Sequence, residues 1–305
     1  MEYVLAGPLL NGTADDRITK TDEQRMIDLH LHTTASDGAF APEALVRRAA
    51  DAGITFLSVT DHDTTAGLAE ARDAAARLGV GFIPGIEITA VWAHRDVHVL
   101  AYFVEELAGD LGDLISAAAT DRLQRAREMA SRLAAVNAPI DIDALIAANG
   151  ARSIARPVIA RALVAHGHAS SIADAFERFI AEGRPAYVPR CGATPAVVVE
   201  AIVRSGGLAV IAHPGTLRDE LPFADLVDAG LGGLEVYHSS HDTAATARFL
   251  NVARRLDLVV TGGSDFHGDD VRYADALGRV VLPVSEFARV MSRGHASRVY
   301  AMEER

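Results

Sequence analysis

The stretch Met26-Ile27-Asp28-Leu29-His30-Leu31-His32 places two histidines at the end of a short, mostly apolar run. A run of this length and composition predicts a buried β-strand. Side chains two residues apart on a strand point to the same face, so His30 and His32 should lie side by side. Alternation alone would produce this arrangement. We interpret the two histidines as a ligand pair, with two ordinary core histidines as the alternative.

Strand-like and helix-like segments alternate on both sides of a long central region. Strands are predicted at 26–32, 54–60, 80–88, 96–104, 208–212, 233–236 and 258–261. Helices are predicted between them at 42–52, 64–78, 195–204, 217–229 and 244–256. This rhythm predicts an α/β fold in which helical crossovers connect a parallel sheet.

The central region, residues 108–190, interrupts this alternation and is almost wholly helical in pattern. A long Ala/Arg/Leu stretch ends at Val136, and further helices are predicted at 142–148, 157–166 and 171–181. We therefore predict an N-terminal arm (1–25), a barrel domain (26–107 and 191–305) and an inserted all-helical subdomain (108–190). The insert is expected to cap the substrate site.

The bulk composition is that of an ordinary globular enzyme, with 50% hydrophobic and 23% charged residues. The net charge of −12 argues against a surface that binds long nucleic acid through its phosphates. No apolar run approaches the roughly 18 residues that span a bilayer, and the first 25 residues do not resemble a secretory signal. We expect no membrane association and a cytoplasmic location.

Histidines and carboxylates recur where the predicted strands end. A single polar residue at such a position is usually a turn former, but here most strands carry one. The set comprises His30, His32, Asp37, His62, Glu87, His98, His213, Asp265 and His267. In a barrel-like β/α fold the carboxyl ends of the strands converge on one face, so these side chains should meet in one cleft. His238 is the other histidine that could face it.

Six imidazoles and three carboxylates are too many ligands for one ion and enough for three. Mixed ligation by imidazole and carboxylate suits Zn, Mn or Fe better than Mg or Ca. We therefore predict two to three divalent metal ions as cofactors.

Taken in order, the motifs resemble the PHP family, named for its polymerase and histidinol phosphatase members. The resemblance runs from about Met26 to Val281. It rests on HxH (30–32), SDG (36–38), TDHD (60–63), PGIE (84–87), HVL (98–100), AHP (212–214) and GSDFH (263–267).

The resemblance implies a distorted (β/α)7 barrel with a trinuclear metal site. By the family pattern, His30, His32, Glu87 and Asp265 would hold the first ion. Glu87 would bridge to a second ion that His98 and His213 complete. The third ion would be held by Asp37, His62 and His267. Glu87, Asp265 and His267 are accordingly the expected catalytic residues.

The SDG motif and the helical insert resemble a branch of the family that hydrolyses phosphate esters of nucleotides. This branch includes phosphatases that remove the 3′-phosphate of nucleoside 3′,5′-bisphosphates, and relatives that trim RNA from its 5′ end. Its insert typically carries an RPH-type motif, which here reads Arg156-Pro157-Val158. The valine departs from the pattern and bears on substrate specificity. Arg156 is our first candidate for phosphate binding, followed by Arg122 and Arg125. The alternative for all three is an ordinary solvated helix face.

These observations predict a metal-dependent phosphatase acting on nucleotide monoesters, with the 3′-phosphate of nucleoside 3′,5′-bisphosphates as the favoured target. A hydroxide bridging two metals would attack phosphorus in line, and a third metal with an insert arginine would hold the non-bridging oxygens. The alternatives are a 5′-3′ exoribonuclease on short RNA, a metal-dependent amidohydrolase and a non-catalytic metal-stabilised module. The expected partner is a small phosphorylated molecule.

Overall fold

The computed structural model describes residues 25–149, 154, 156–217, 221–268, 275–280 and 282–303. The predicted arm therefore lies outside the described residues, except for Arg25. Within the described part, seven strands form one sheet in the order of the chain. They are β1 (Met26–Leu31), β2 (Ile54–Val59), β3 (Gly81–Trp92), β4 (Arg95–Tyr102), β5 (Leu208–Ile211), β6 (Gly233–His238) and β7 (Val259–Gly263).

The two outer strands of this sheet meet, because the chain that leaves β7 pairs with the end of β1. The backbone N–H of His32 donates to the carbonyl of Phe266 (3.1 Å), and the N–H of Asp265 donates to the carbonyl of His30 (2.9 Å). Leu31 and Phe266 form a parallel bridge. The sheet is thus a nearly closed barrel, and the expected (β/α)7 architecture is confirmed.

Strand β4 is the exception to the predicted parallel sheet, because it runs antiparallel to both β3 and β5. Trp92 pairs with Arg95, and the two residues between them, Ala93 and His94, have positive φ angles of 48° and 63°. Such a pair forms the two-residue turn of a tight hairpin. A parallel crossover needs a dozen or more residues, which the chain does not provide here. The parallel prediction is wrong for β4 and right for the other six strands.

Helices cover the outside of the barrel and fill the central region. They are α1 (Pro42–Asp51), α2 (Leu68–Leu78), α3 (Gly109–Ala135), α4 (Ile142–Asn149), α5 (Arg156–Ala165), α6 (Ile172–Ala175), α7 (Pro195–Arg204), α8 (Phe223–Asp228), α9 (Thr243–Arg255) and α10 (Val284–Glu303). Several begin at sequence caps: the side chain of Thr194 accepts from the N–H of Val197 before α7, and Asp242 accepts from Ala245 before α9.

Two helix predictions differ from the structure. Of the helix predicted at 217–229, the described residues show only α8, which starts directly after Pro222, and residues 214–216 form a 3₁₀ turn. The helix predicted at 171–181 is α6 followed by one π-helical turn, Phe176–Ile180. Helix α10 was not predicted; its Phe287 packs on Phe56 with ring centroids 4.9 Å apart.

The central helices α3–α6 have a hydrophobic core of their own, which includes Met129, Leu133, Ile159, Leu163 and Ile180. This core is separate from the barrel core and from a third cluster around α1 and α2. The separation supports the proposed division into a barrel and a helical insert. Among the described residues, no helix is both long and apolar enough to cross a membrane.

Candidate metal centre

The two histidines of the opening motif lie at the end of β1, His30 within the strand and His32 directly after it. As the spacing predicts, His30 and His32 lie on the same face, with ring centroids 5.1 Å apart. Both are buried, at 0% and 1% exposure. Their Nε2 atoms point at the same two carboxylates, those of Glu87 and Asp265, at distances of 3.2–3.4 Å. Sequence alternation therefore places a convergent pair of imidazoles at the carboxyl end of β1.

Glu87 on β3 lies at the centre of the site and is fully buried. Oε2 faces His30, His32 and His62, and Oε1 faces His98 and His213, with O–N distances of 2.9–3.3 Å. One carboxylate therefore separates two sets of imidazoles. This is the arrangement expected of a carboxylate that bridges two cations.

The residues after β7 complete this group from the other side of the barrel closure. Asp265 adopts a left-handed backbone conformation with φ of 54°, which is uncommon outside glycine and often found at functional sites. Its N–H is held by the carbonyl of His30. The turn places Oδ1 of Asp265 beside the Nε2 atoms of both β1 histidines.

A further group lies nearer the mouth of the cleft. Oδ1 of Asp37 is 3.2 Å from Nε2 of His267, and Oδ2 is 3.8 Å from Nε2 of His62. The Nδ1 atom of His267 lies 2.9 Å from the carbonyl of Asp265. If this nitrogen carries the ring proton, it donates to the carbonyl and leaves Nε2 as a free ligand atom.

Hydrogen bonding and charge both fit a metal at these positions. Buried polar atoms are nearly always hydrogen-bonded, yet this cluster concentrates atoms that are not. They include Nε2 of His30, both ring nitrogens of His32, Nδ1 of His62, Oε2 of Glu87 and Nδ1 of His98. Imidazole nitrogens and carboxylate oxygens that converge without hydrogen-bond partners are suitable metal ligands.

The pKa shifts of Glu87 and His62 show that the site favours positive charge. Burial raises the pKa of Glu87, but the imidazoles of His98, His62 and His30 outweigh burial and hold that pKa well below its ordinary value. Burial lowers the pKa of His62, but Glu87 and Asp37 overcome this and raise it to about 10. Without cations the carboxylates would be balanced by protonated imidazoles, a role that divalent ions would take over.

The structure brings all nine predicted ligands into one cluster. Groups with ligand atoms within 4.8 Å of one another are His30, His32, Glu87 and Asp265; His32, Asp37, His62 and His267; and His62, Glu87 and His98. The first matches the set expected for the first ion, and the second contains the set expected for the third. His213 joins through Oε1 of Glu87, at 3.1 Å.

Two residues of β6 belong to the cluster, and only one of them was foreseen. His238, considered from its place near the strand end, is buried, with Nε2 3.4 Å from Oδ2 of Asp265. Glu235, fully buried beside His30, was missed. A readable signal exists, since Glu235 is a lone carboxylate inside an otherwise uncharged strand.

The nine clustered side chains are called the metal cluster below. A cleft of about 800 Å³ opens from this cluster toward the helical insert. All three predicted arginines line it, together with Arg161 and Arg190, which the sequence analysis did not select. Arg122 is buried and forms an ion pair with Asp63, and Arg190 pairs with Asp96 at 2.9 Å.

Arg125 lies among the other guanidinium groups of this wall. Burial, together with the charges of Arg190, Arg156 and Arg122, lowers its pKa to about 10 against the opposing effect of Asp96. Arg125 is still protonated at neutral pH, so this wall of the cleft holds several like charges close together. An anion bound between them would relieve their repulsion.

Apolar side chains from the insert complete the lining. Val158 on α5, Ile172 on α6 and Phe176 at the start of the π-helical turn face the cleft. π-Helical turns are often found at functional sites. Val158, where the family resemblance leads one to expect histidine, thus adds an apolar surface to the cleft.

Comparison with known proteins agrees with this geometry. Residues 28–131 match the PHP domain family model. The chain is 36% identical over 270 residues to a 3′,5′-nucleoside bisphosphate phosphatase of Chromobacterium violaceum, covering 85% of this chain and 94% of the relative. It is 34% identical over 257 residues to the 5′-3′ exoribonuclease Rnm of Escherichia coli, covering 82% and 88%.

A solved structure from Bifidobacterium adolescentis, described as a metal-dependent phosphoesterase, superposes with a TM-score of 0.79 at 33% identity. The match covers 88% of this chain and 96% of that one. The chain belongs to the PHP family. It is a metal-dependent phosphoesterase.

Proposed function

We propose that this phosphoesterase removes the 3′-phosphate from nucleoside 3′,5′-bisphosphates. The observation that carries the proposal is the composition of one cleft. It combines the His/Asp/Glu cluster, a wall of arginines and an apolar surface around Phe176. These three parts match the needs of a reacting phosphate, a second phosphate and a base. The name of the Chromobacterium violaceum relative supports the same substrate class.

The size of the cleft is compatible with this substrate. Its volume of about 800 Å³ falls in the range of roughly 300–1,000 Å³ that is typical of small-molecule sites. Long RNA would need an extended cationic surface, and the net charge of −12 disfavours one. We therefore propose a small phosphorylated molecule as the partner. The cytoplasmic location expected from the sequence is a separate prediction.

The nine clustered residues would hold two or three divalent ions, with Mn, Zn or Fe favoured by the mixed imidazole and carboxylate ligands. Bound ions would supply Lewis acidity, activating water and stabilising charge on the phosphoryl oxygens. With Glu235, which lies behind His30, the cluster has four carboxylates. Two divalent cations would balance that charge, and three would exceed it and leave a net attraction for an anionic substrate.

The side chains of the chain have distinct proposed roles in this chemistry. Glu87 holds the two halves of the cluster at a constant separation, because each oxygen faces a different set of imidazoles. Asp265 and His267 position the ligand atoms on the β7 side. Arg125 and Arg156 would grip non-bridging or second-phosphate oxygens, since the guanidinium fork binds phosphate bidentately.

Val158, Ile172 and Phe176 would exclude water and contact the base or ribose. Stacking of a base on an aromatic side chain contributes roughly 1–3 kcal/mol. A purely inorganic or aryl phosphate would use the metal cluster but gain little from this wall.

The deciding experiment compares three substrates with Mn-reconstituted protein: adenosine 3′,5′-bisphosphate, a 5′-phosphorylated oligoribonucleotide and an aryl phosphate. Release of phosphate and AMP is followed separately. We expect kcat/KM to be highest for the bisphosphate, with AMP and phosphate formed in equal amounts. Equal, slow rates on all three substrates would refute the nucleotide assignment without affecting the metal cluster.

The second candidate is a 5′-3′ exoribonuclease acting on short RNA, favoured by the similarity to the Escherichia coli enzyme. It makes a different prediction in the same assay. Mononucleotides would be released stepwise from the 5′-phosphorylated oligoribonucleotide, with a kcat/KM above that for the bisphosphate.

A further inference from the structure

A single carboxylate on β6 contacts two of the predicted metal ligands from behind the cluster. Glu235 is fully buried. Its Oε1 lies 2.9 Å from Nδ1 of His30, and its Oε2 accepts the backbone N–H of His213 at 2.7 Å. These two ligands lie on opposite sides of Glu87, since His30 faces Oε2 of Glu87 and His213 faces Oε1. Glu235 therefore reaches both halves of the site.

The contact with His30 determines which ring nitrogen is free. Nε2 of His30 points into the cluster, 3.3 Å from Glu87 and 3.4 Å from Asp265. Nδ1 faces the carboxylate of Glu235, so with a metal bound at Nε2 it is Nδ1 that would carry the ring proton and donate it. A carboxylate behind a ligating histidine fixes the tautomer and ring orientation and raises the basicity of the ligand nitrogen.

The contact with His213 acts on the backbone. His213 has a φ of 26°, a conformation that residues other than glycine rarely adopt, and it precedes the 3₁₀ turn at Pro214. Such strain persists only where the surroundings enforce it. The N–H of His213 is held by Oε2 of Glu235, in the conformation that aims Nε2 of His213 at Glu87.

We propose that Glu235 is a positioning residue that sets the tautomer of His30 and holds the backbone of His213. One carboxylate thereby orients ligands on both sides of the bridging Glu87. The proposal rests on the proposed metal-binding role of these histidines. It assigns Glu235 no contact with the substrate.

A competing possibility is that Glu235 itself binds an additional ion. Glu235, His30 and His238 present ligand atoms within 4.8 Å of one another. However, both oxygens of Glu235 already have protein partners, Nδ1 of His30 and the N–H of His213. These two contacts of Glu235 favour a supporting role over direct ligation, and metal stoichiometry distinguishes the two.

The test is Glu235→Gln, which preserves shape but replaces one acceptor by a donor. Glutamine cannot accept from both His30 and His213, so one N–H loses its partner. We expect the affinity for Mn²⁺, titrated calorimetrically into metal-free protein, to fall about 10- to 100-fold while the number of bound ions stays the same. Tyr237→Phe, on the same strand but only partly buried and influenced by the charge of Glu286, is the matched control and should bind Mn²⁺ normally.

An affinity within about twofold of wild type, or the loss of one ion from the stoichiometry, would overturn the proposal. A second measurement does not depend on the variant folding. Histidine ¹⁵N NMR of the unaltered protein loaded with Zn²⁺, which is diamagnetic, should show His30 protonated at Nδ1 alone, and an Nε2–H tautomer would refute the assignment. Since neither readout uses a substrate, failure of the proposed phosphatase activity would be recognised separately.

Discussion

Arg122 and Asp63 form a buried ion pair between the helical insert and the loop after β2, with side chains only 7% and 3% exposed. Replacing Arg122 by methionine would leave the carboxylate of Asp63 buried with the N–H and hydroxyl of Thr89, at 2.9 and 3.1 Å, as neutral donors. Breaking one partner of a buried pair costs about 3–5 kcal/mol. Because Thr89 still donates two hydrogen bonds, we expect a loss near the lower value, about 3 kcal/mol.

The loss should depend on pH in a defined direction. Burial raises the pKa of Asp63, but Arg122 and the Thr89 N–H outweigh burial and lower it in the native protein. The stabilisation by Asp63 is therefore present above its unfolded pKa and is lost as the pH falls. Without Arg122, burial would raise the pKa of Asp63, so the charged form would destabilise the variant at neutral pH. The difference between wild type and variant should be largest near pH 8 and shrink toward pH 4.

Urea unfolding of metal-free protein at the two pH values measures this difference. Arg127→Met is the matched control, because Arg127 lies on the same helix and pairs with Asp143 at 3.2 Å with both side chains exposed. Exposed pairs contribute about 0–1 kcal/mol, so this variant should unfold almost like wild type. The reasoning would be refuted if Arg122→Met unfolded at the wild-type urea concentration. A lowered kcat/KM with unchanged stability would instead assign Arg122 to substrate binding.

Three further predictions concern the metal centre and the cleft. Asp265→Ala or His32→Ala should lower turnover at least about a hundredfold, since a metal centre contributes several kcal/mol; metal content and phosphate release are measured together, and near-normal turnover would contradict the ligand assignment. Arg125→Met should raise KM for adenosine 3′,5′-bisphosphate about tenfold or more, because a hydrogen bond to a charged group contributes roughly 1.5–3 kcal/mol. An equal rise for an aryl phosphate would show that Arg125 does not bind the second phosphate. Chelation should lower the unfolding midpoint, and Mn²⁺ at about 100 times its Kd should restore about 2.7 kcal/mol; identical midpoints with and without chelator would argue against a metal held by the native state.

The strands and their polar ends could be predicted from the sequence because the underlying signals are local. His30 and His32 share a face because side chains alternate along any strand. The convergence of ligands at the strand ends followed from the α/β rhythm. The same alternation gave a wrong prediction for strand β4, which was expected to be parallel although no helix precedes it. The seven residues between the predicted strands 80–88 and 96–104 are too few for a parallel crossover, so its reversal was readable from spacing.

The identity of the arginines in the cleft depended on how the insert packs against the barrel. Arg156 and Arg190 belong to the insert and lie outside the strand-end motifs that carry the metal cluster. Helical periodicity alone cannot say which face of α3 or α5 packs against that cluster. Arg122 illustrates the difficulty: the sequence marked it as a candidate for phosphate binding, while the structure places it in an ion pair with Asp63. The ion pair with Asp63 follows from the packing of α3 against the barrel, which the sequence does not show.

By itself, the sequence determined the fold class, the nine clustered residues and the PHP family, because periodicity and short motifs are encoded within a few neighbouring residues. Only the tertiary structure decided what supports them. Glu235 lies 205 residues from His30 along the chain, and their contact exists because the barrel closes and brings β6 behind β1. The strand itself marks Glu235 as a lone carboxylate, but no local pattern shows that it contacts His30, so that contact could be recognised only in the folded protein.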